Sequence, residues 1–191
     1  FKLINETIPQ LFEIYTYKNK KNFYASALKV INNIIFLTNS WFTPNICEIL
    51  CNIINNPIRS QKEYAYYALT TLIEKNAKEI TICMPDLIPI VSSDVNDVST
   101  NIKQQACIAL ELLLKCSGNS DLDAFSPAVL KGLKEPQTIY DAVESLASCV
   151  FVQNVEAPAL AVTTPILIKG LNEKKTATRR LTCVIVDNMC K

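Results

Sequence analysis

The 191-residue sequence contains no histidine. That absence removes Ser-His-Asp and Cys-His nucleophile systems and nearly every catalytic zinc arrangement, because each needs an imidazole as base or ligand. Glycine is almost as scarce, at three residues: Gly118, Gly132 and Gly170. Doubly wound α/β folds use glycine in phosphate turns and tight corners, so this scarcity points to helices joined by short turns. Neither GxGxxG nor GxxxxGK followed by Ser or Thr occurs, which excludes nucleotide binding through those two loops.

An excess of either charge is also missing. The 19 basic residues nearly balance the 18 acidic ones, and a net charge of +1 gives no global pull on a polyanion. Any polyanion contact must come from a local patch. No apolar run is long enough to span a bilayer, since the most apolar stretch, VINNIIFL, is broken by Asn32 and Asn33. No leader peptide is recognisable, and no membrane partner is expected. The eight cysteines (Cys47, Cys51, Cys83, Cys107, Cys116, Cys149, Cys183, Cys190) form no C-x-x-C pair, which argues against a metal knuckle. Most sit in apolar helical surroundings such as CEILC and QACIAL and read as buried, reduced thiols of a cytoplasmic protein. A 49% hydrophobic content rules out a disordered tail. Both ends fall inside helical patterns, so the sequence reads as a fragment of a longer protein.

What is present is a repeat. KNFYASALKVI (21–31), KEYAYYALTTL (62–72) and KQQACIALELL (103–113) share one register, in which Ala27, Ala68 and Ala109 recur every 41 residues. Each alanine is followed by a leucine and then, three residues on, by Ile31, Leu72 or Leu113, and each is preceded six residues earlier by a lysine. A second pair, SPAVLKGLKEPQT (126–138) and TPILIKGLNEKKT (164–176), repeats at an offset of 38. Periods near 40 with two apolar helical stretches per unit are the mark of HEAT or armadillo arrays, and two long helices per unit favour HEAT. Each unit is a helix pair that cannot bury its apolar stripe alone, so neighbours stack on it. The expected fold is an all-α HEAT-repeat solenoid of about five helix pairs in one domain, with units near 5–39, 41–75, 78–117, 122–152 and 157–191. Pro9, Pro44, Pro85, Pro127 and Pro165 punctuate the first helices, where proline starts or bends a helix. In the fourth unit the register fits either Ala142 or Ala147.

CMPDLIPIVS, VESLASCVFVQNV and above all GLNEKK and VIVDNMCK resemble the N-terminal HEAT domain of fungal-type translation elongation factor 3. The resemblance runs from about Cys83 to Lys191 and is thin before that; Leu181 and Cys183 depart from the family's pattern and mark a divergent member. It implies a cytoplasmic, ribosome-associated factor whose parent carries two ABC-type ATPase cassettes, with ATP and magnesium as cofactors outside these residues. Such a parent uses ATP to help release deacylated tRNA from the ribosomal exit site, while the HEAT region does no chemistry and helps to dock on rRNA and ribosomal proteins. No catalytic, cofactor or metal residue carries over. A non-enzymatic HEAT scaffold, of the Gcn1 type or a transport or assembly adaptor, is the competing reading.

The cations of EKKTATRR (173–180) divide in two. Counting back six from Ile185, taken as the repeat's small-residue position, Arg179 falls in the slot of Lys21, Lys62 and Lys103. It is therefore a repeat feature that pairs with a neighbouring acidic turn or stays solvated. Lys174, Lys175 and Arg180 lie outside the register and are the candidate ribosome or RNA contact, set against a plain solvated turn. YKNKKNF, with Lys18, Lys20 and Lys21, reads as a solvated loop. Tyr64, Tyr66 and Tyr67 have core spacing and read as packing residues, not a base-stacking platform. Trp41 and Phe42 are expected to wedge between helices, and Asp187 and Asn188 to satisfy helix-end or inter-repeat hydrogen bonds.

Overall fold

The computed structural model describes residues 2–149 and 155–190, and at Lys18 only the main chain. The end of the fourth expected unit (150–152), residues 150–154 of VESLASCVFVQNV, and Lys191 lie outside the described residues. The architecture is all-α: among the described residues there is no strand. The helices are α1 (Lys2–Glu13), α2 (Tyr24–Leu37), α3 (Thr43–Ile54), α4 (Arg59–Lys75), α5 (Met84–Asp94), α6 (Thr100–Lys115), the single turn α7 (Ser120–Asp123), α8 (Ser126–Lys134), α9 (Ile139–Ala147), α10 (Ala157–Leu171) and α11 (Thr176–Met189). Short 3-10 turns lead into several of them, such as Glu79–Cys83 before α5.

Proline position follows its chemistry. Pro44, Pro85 and Pro127 stand in the first turns of α3, α5 and α8, where their missing N–H would have had no partner. Pro9, Pro89 and Pro165 lie inside α1, α5 and α10.

Two compact units divide at residues 112 and 113, within α6. In the first, α1 packs on α3, α3 on α5 and α2 on α4. First helices thus stack on first helices and second on second, the layering of a helix-pair repeat. Its core is formed by Ile8 and Phe12 of α1, Ile31 and Ile35 of α2, Ile46, Leu50 and Ile54 of α3, and Leu69 and Leu72 of α4. In the second unit α8 packs on α9 and α10, and α11 on α9 and α10.

The alanine register is visible as burial: Ala27, Ala68 and Ala109 are buried, as are Ile31, Leu72 and Leu113. In the fourth pair the structure resolves the open choice. Ala142 and Val143 are buried in the middle of α9 and Leu146 near its end, whereas Ala147 is the last residue of α9 and only half-buried.

The last pair departs from the expected register. A Cβ added at Gly132 of α8 would meet the Ala142 methyl at 2.7 Å; one added at Gly170 of α10 would meet the Thr182 hydroxyl. Thr182 therefore occupies in α11 the small-residue position that Ala142 occupies in α9. Ile185, although buried, lies almost one turn beyond it.

Two further expectations fail. Trp41 does not wedge between helices: it sits on the 3-10 turn Ser40–Phe42 and is 87% exposed. Nor are the thiols uniformly buried. Cys47, Cys83 and Cys149 are, Cys51, Cys107 and Cys116 are half-buried, and Cys183 and Cys190 are exposed. Both of the last two are on or just past α11, whose buried stripe is Thr178, Thr182 and Ile185 and whose other face is open.

Candidate functional site

The α10–α11 turn is built by helix-end hydrogen bonds. Asn172, just past α10, sends its side-chain amide to the Ile168 carbonyl at 2.9 Å, and Glu173 N–H donates to the Gly170 carbonyl. Arg179, one turn into α11, reaches back across the corner. Its guanidinium donates to the carbonyls of Glu173 (2.6 Å) and Lys174 (2.9 Å) and to the Thr176 hydroxyl (3.1 Å). A planar fork with five donors suits this role, and it fixes the main chain that carries Lys174 and Lys175.

Arg179 therefore does not do what Lys62 does. Lys62 reaches into the next repeat: its ammonium lies 2.6 Å from Asp94, the last residue of α5, and 3.6 Å from Asp97 in the turn that follows. The difference follows from the register. Counted back six from Thr182 the slot is Thr176, so Arg179 is displaced from the lysine position and meets its own turn. Lys21 and Lys103 are exposed.

Lys174, Lys175 and Arg180 are exposed, and the fold brings them together around the start of α11. That helix has no acidic residue in its first turn and no side-chain cap. Its N-terminal N–H groups add positive potential to the three cations instead of offsetting them, with Glu173 as the acidic group in the same turn. Lys175 Nζ stands 5.6 Å over the Tyr140 ring of α9, which steadies one of the three. The Glu144 carboxylate beside Tyr140 accepts from its hydroxyl at 3.3 Å and pushes its pKa up. No sequence signal links residues 140 and 175, since the contact depends on how α9 and α11 pack. Lys169, by contrast, donates to the Leu133 carbonyl at the end of α8 and is half-buried, which lowers its pKa. Three exposed cations so placed could neutralise clustered phosphates.

The other basic run is less concentrated. Lys20 lies 4.5 Å over the Tyr17 ring and Lys21 is exposed; the Lys18 side chain is outside the described residues. The nearby tyrosines pack among themselves. Tyr64 stacks on Tyr15 with centroids 4.3 Å apart and meets Tyr24 and Tyr67 edge-on, while Tyr66 is buried and donates to Asp94 at 2.6 Å. These ring contacts are made within the fold.

Residues 3–110 match the family model described as "EF3 N-terminal HEAT repeat", and residues 137–191 match "Elongation factor 3/GNC1 HEAT repeat". The family signal thus reaches well before Cys83, where the sequence motifs are thin. Elongation factor 3 of Pneumocystis carinii is 32% identical over 168 residues, covering 87% of this chain and 16% of that protein. Elongation factor 3 of Phytophthora infestans is 35% identical over 159 residues, covering 83% of this chain and 15% of that protein. Elongation factor 3A of Saccharomyces cerevisiae is 27% identical over 172 residues, covering 90% of this chain and 16% of that protein. The chain spans about one sixth of the length of these relatives.

Proposed function

Because the chain belongs to the elongation factor 3 HEAT-repeat family, we propose that it is the ribosome-docking HEAT region of a cytoplasmic translation elongation factor. On this reading the larger protein hydrolyses ATP in ABC-type cassettes outside these residues and promotes release of exit-site tRNA. The HEAT region itself does no chemistry. It presents Lys174, Lys175 and Arg180 to ribosomal RNA phosphate.

The observation that carries the RNA contact is the division of labour around the α10–α11 turn. Arg179 and Lys169 are engaged with main-chain carbonyls, and three exposed cations remain at an uncapped helix start. Phosphate neutralisation of this kind is sequence-independent and weakens with salt. Charge reversal (Lys174→Glu, Lys175→Glu, Arg180→Glu) in the full-length protein is expected to weaken co-sedimentation with ribosomes. The slope of log affinity against log salt should fall by about one for each phosphate that is no longer neutralised. Unchanged co-sedimentation across a salt series would remove the RNA contact from consideration.

A second reading rests on the match over 137–191, whose description pairs elongation factor 3 with GNC1. There the chain would belong to a scaffold without ATPase activity. ATP hydrolysis by the full-length protein, or two cassettes with GxxxxGK followed by Ser or Thr in its gene, favours the elongation factor. Helix-pair repeats throughout favour the scaffold.

A further inference from the structure

Three cysteines, all remote in sequence from the basic turn, converge on one cavity in the first unit. Cys47 and Cys51 lie one turn apart on α3, and Cys83 arrives at the end of the 3-10 turn that precedes α5. With Glu48, Ile82 and Asp86 they line a cavity of about 340 Å³, at which Ile82 is exposed. Cys47 and Cys83 are 3% and 6% exposed, so this cavity is their route to small solutes. Of the groups around Cys47, Cys83 influences it most.

The three thiols are chemically unequal. The neighbouring Cys47 lowers the pKa of Cys83, against the opposing effects of burial and of Asp86. Cys83 and burial push Cys47 up. Cys51 is pushed up to about 11, by burial first and then by Asp86, Cys83 and Glu48. Cys83, the more exposed of this pair on the cavity, is thus the thiol set to ionise, with Cys47 as the neighbour that keeps its proton. A thiolate beside a second thiol is the arrangement that two-electron oxidants attack. Among the described residues no group of three or more Cys, Asp or Glu side chains is placed to hold a metal ion, so the convergence is not a metal cradle.

We propose that Cys83 and Cys47 form an oxidation site for hydrogen peroxide, which converts them into a disulfide linking α3 to the turn before α5. The Cys83 thiolate attacks one peroxide oxygen and breaks the O–O bond. Cys83 becomes a sulfenic acid, and the departing hydroxide takes a proton to leave as water. The Cys47 sulfur then attacks the sulfenic sulfur, and the displaced hydroxide takes the Cys47 proton to leave as a second water. Two thiols lose two electrons and two protons, and peroxide is reduced to two waters. The carboxylates of Glu48 and Asp86 at the cavity select the oxidant. A neutral peroxide enters freely, whereas an anionic disulfide such as oxidised glutathione is repelled.

The test uses the full-length protein, treated with hydrogen peroxide or with oxidised glutathione, then blocked with N-ethylmaleimide and digested without reductant. Trypsin with Glu-C cuts after Glu48 and Glu79 and separates the three cysteines into peptides 30–48, 49–59 and 80–103. Peroxide is expected to join 30–48 to 80–103 and leave Cys51 alkylated, and glutathione disulfide to give about tenfold less of the linked pair. In Cys47→Ser the link disappears and Cys83 is trapped as a dimedone adduct of its sulfenic acid. In Cys83→Ser, Cys47 stays alkylatable. The wild-type map decides the matter even if a variant misfolds. Cys83 fully alkylated after peroxide, oxidation confined to Cys183 and Cys190, or linkage through Cys51 would each overturn the proposal, and equal linkage by both oxidants would overturn the selection of a neutral one.

Discussion

A Cβ built at Gly170 would press on the hydroxyl of Thr182 and lie 3.0 Å from Cγ2 of Val143. Both neighbours are buried and branched at Cβ, with few rotamers to move into. Thr182 is further tied by a hydroxyl hydrogen bond to the Thr178 carbonyl at 2.8 Å. The same crowding meets Gly132, where a Cβ would stand 2.8 Å from Cδ1 of Ile166. Glycine recurs at the 38-residue offset because helices approach closely there. Gly170→Ala sets a helix-propensity gain of up to about 1 kcal/mol against an overpacking cost of about 1–3 kcal/mol. Gly170 is next to the end of α10, where propensity counts least, so overpacking wins. Urea unfolding is expected to show a loss of about 1–2 kcal/mol; an unchanged or raised midpoint would mean that the two helices separate easily.

At the scale of elements, one ion pair ties successive repeats of the first unit. The Asp94 carboxylate, at the end of α5, accepts from Lys62 and from Tyr66, both on α4, at 2.6 Å each. Asp94→Ala leaves a fully buried tyrosine hydroxyl unpartnered and Lys62 with only the more distant Asp97. The expected destabilisation is about 2–3 kcal/mol, since an orphaned buried group costs more than its bond was worth. Lys62→Met should cost less, about 1 kcal/mol, because Asp94 keeps Tyr66 and the methionine keeps the stem packing. Equal losses in the two variants, by chemical denaturation, would show that Tyr66 contributes nothing to the tie.

Helices of this kind were legible because burial has a period. Ala27, Ala68 and Ala109 announced themselves by spacing, and the elements followed. The partners of polar side chains were not legible, because they depend on how one helix is rotated against the next. Lys62 and Arg179 look alike in sequence, yet a shift of three residues in the α11 register sends one to a neighbouring turn and the other to its own. The same limit applies to the candidate site: Lys174, Lys175 and Arg180 stood out by composition, but the Tyr140 ring under Lys175 did not. Nor did spacing foretell that three cysteines, two on α3 and one ahead of α5, share a cavity.

Taken as a whole, a chain of net charge +1 has no strong self-repulsion near neutral pH, and at alkaline pH particular buried protons add their own pH dependence to its stability. Tyr15 and Tyr66 both have pKa values raised above the ordinary 10.0, chiefly by burial, with Tyr64 adding for Tyr15 and the Asp94 hydrogen bond for Tyr66. The folded chain therefore holds these protons to higher pH than the unfolded chain does. Their contribution is complete below pH 10 and is lost as pH rises through the window between the unfolded and folded values. Well above pH 10 the loss approaches about 1.4 kcal/mol per pH unit for each tyrosine. The raised thiols of Cys47, Cys51, Cys116 and Cys149 act in the same direction from about pH 9, whereas Lys169, lowered by burial, opposes them. Urea midpoints measured from about pH 8 to about pH 11 should fall ever more steeply. Tyr66→Phe isolates one group: it is expected to start less stable at neutral pH, having lost the Asp94 bond, and to decline less steeply above pH 10. Parallel decline of variant and wild type would show that the Tyr66 proton is not held by the fold.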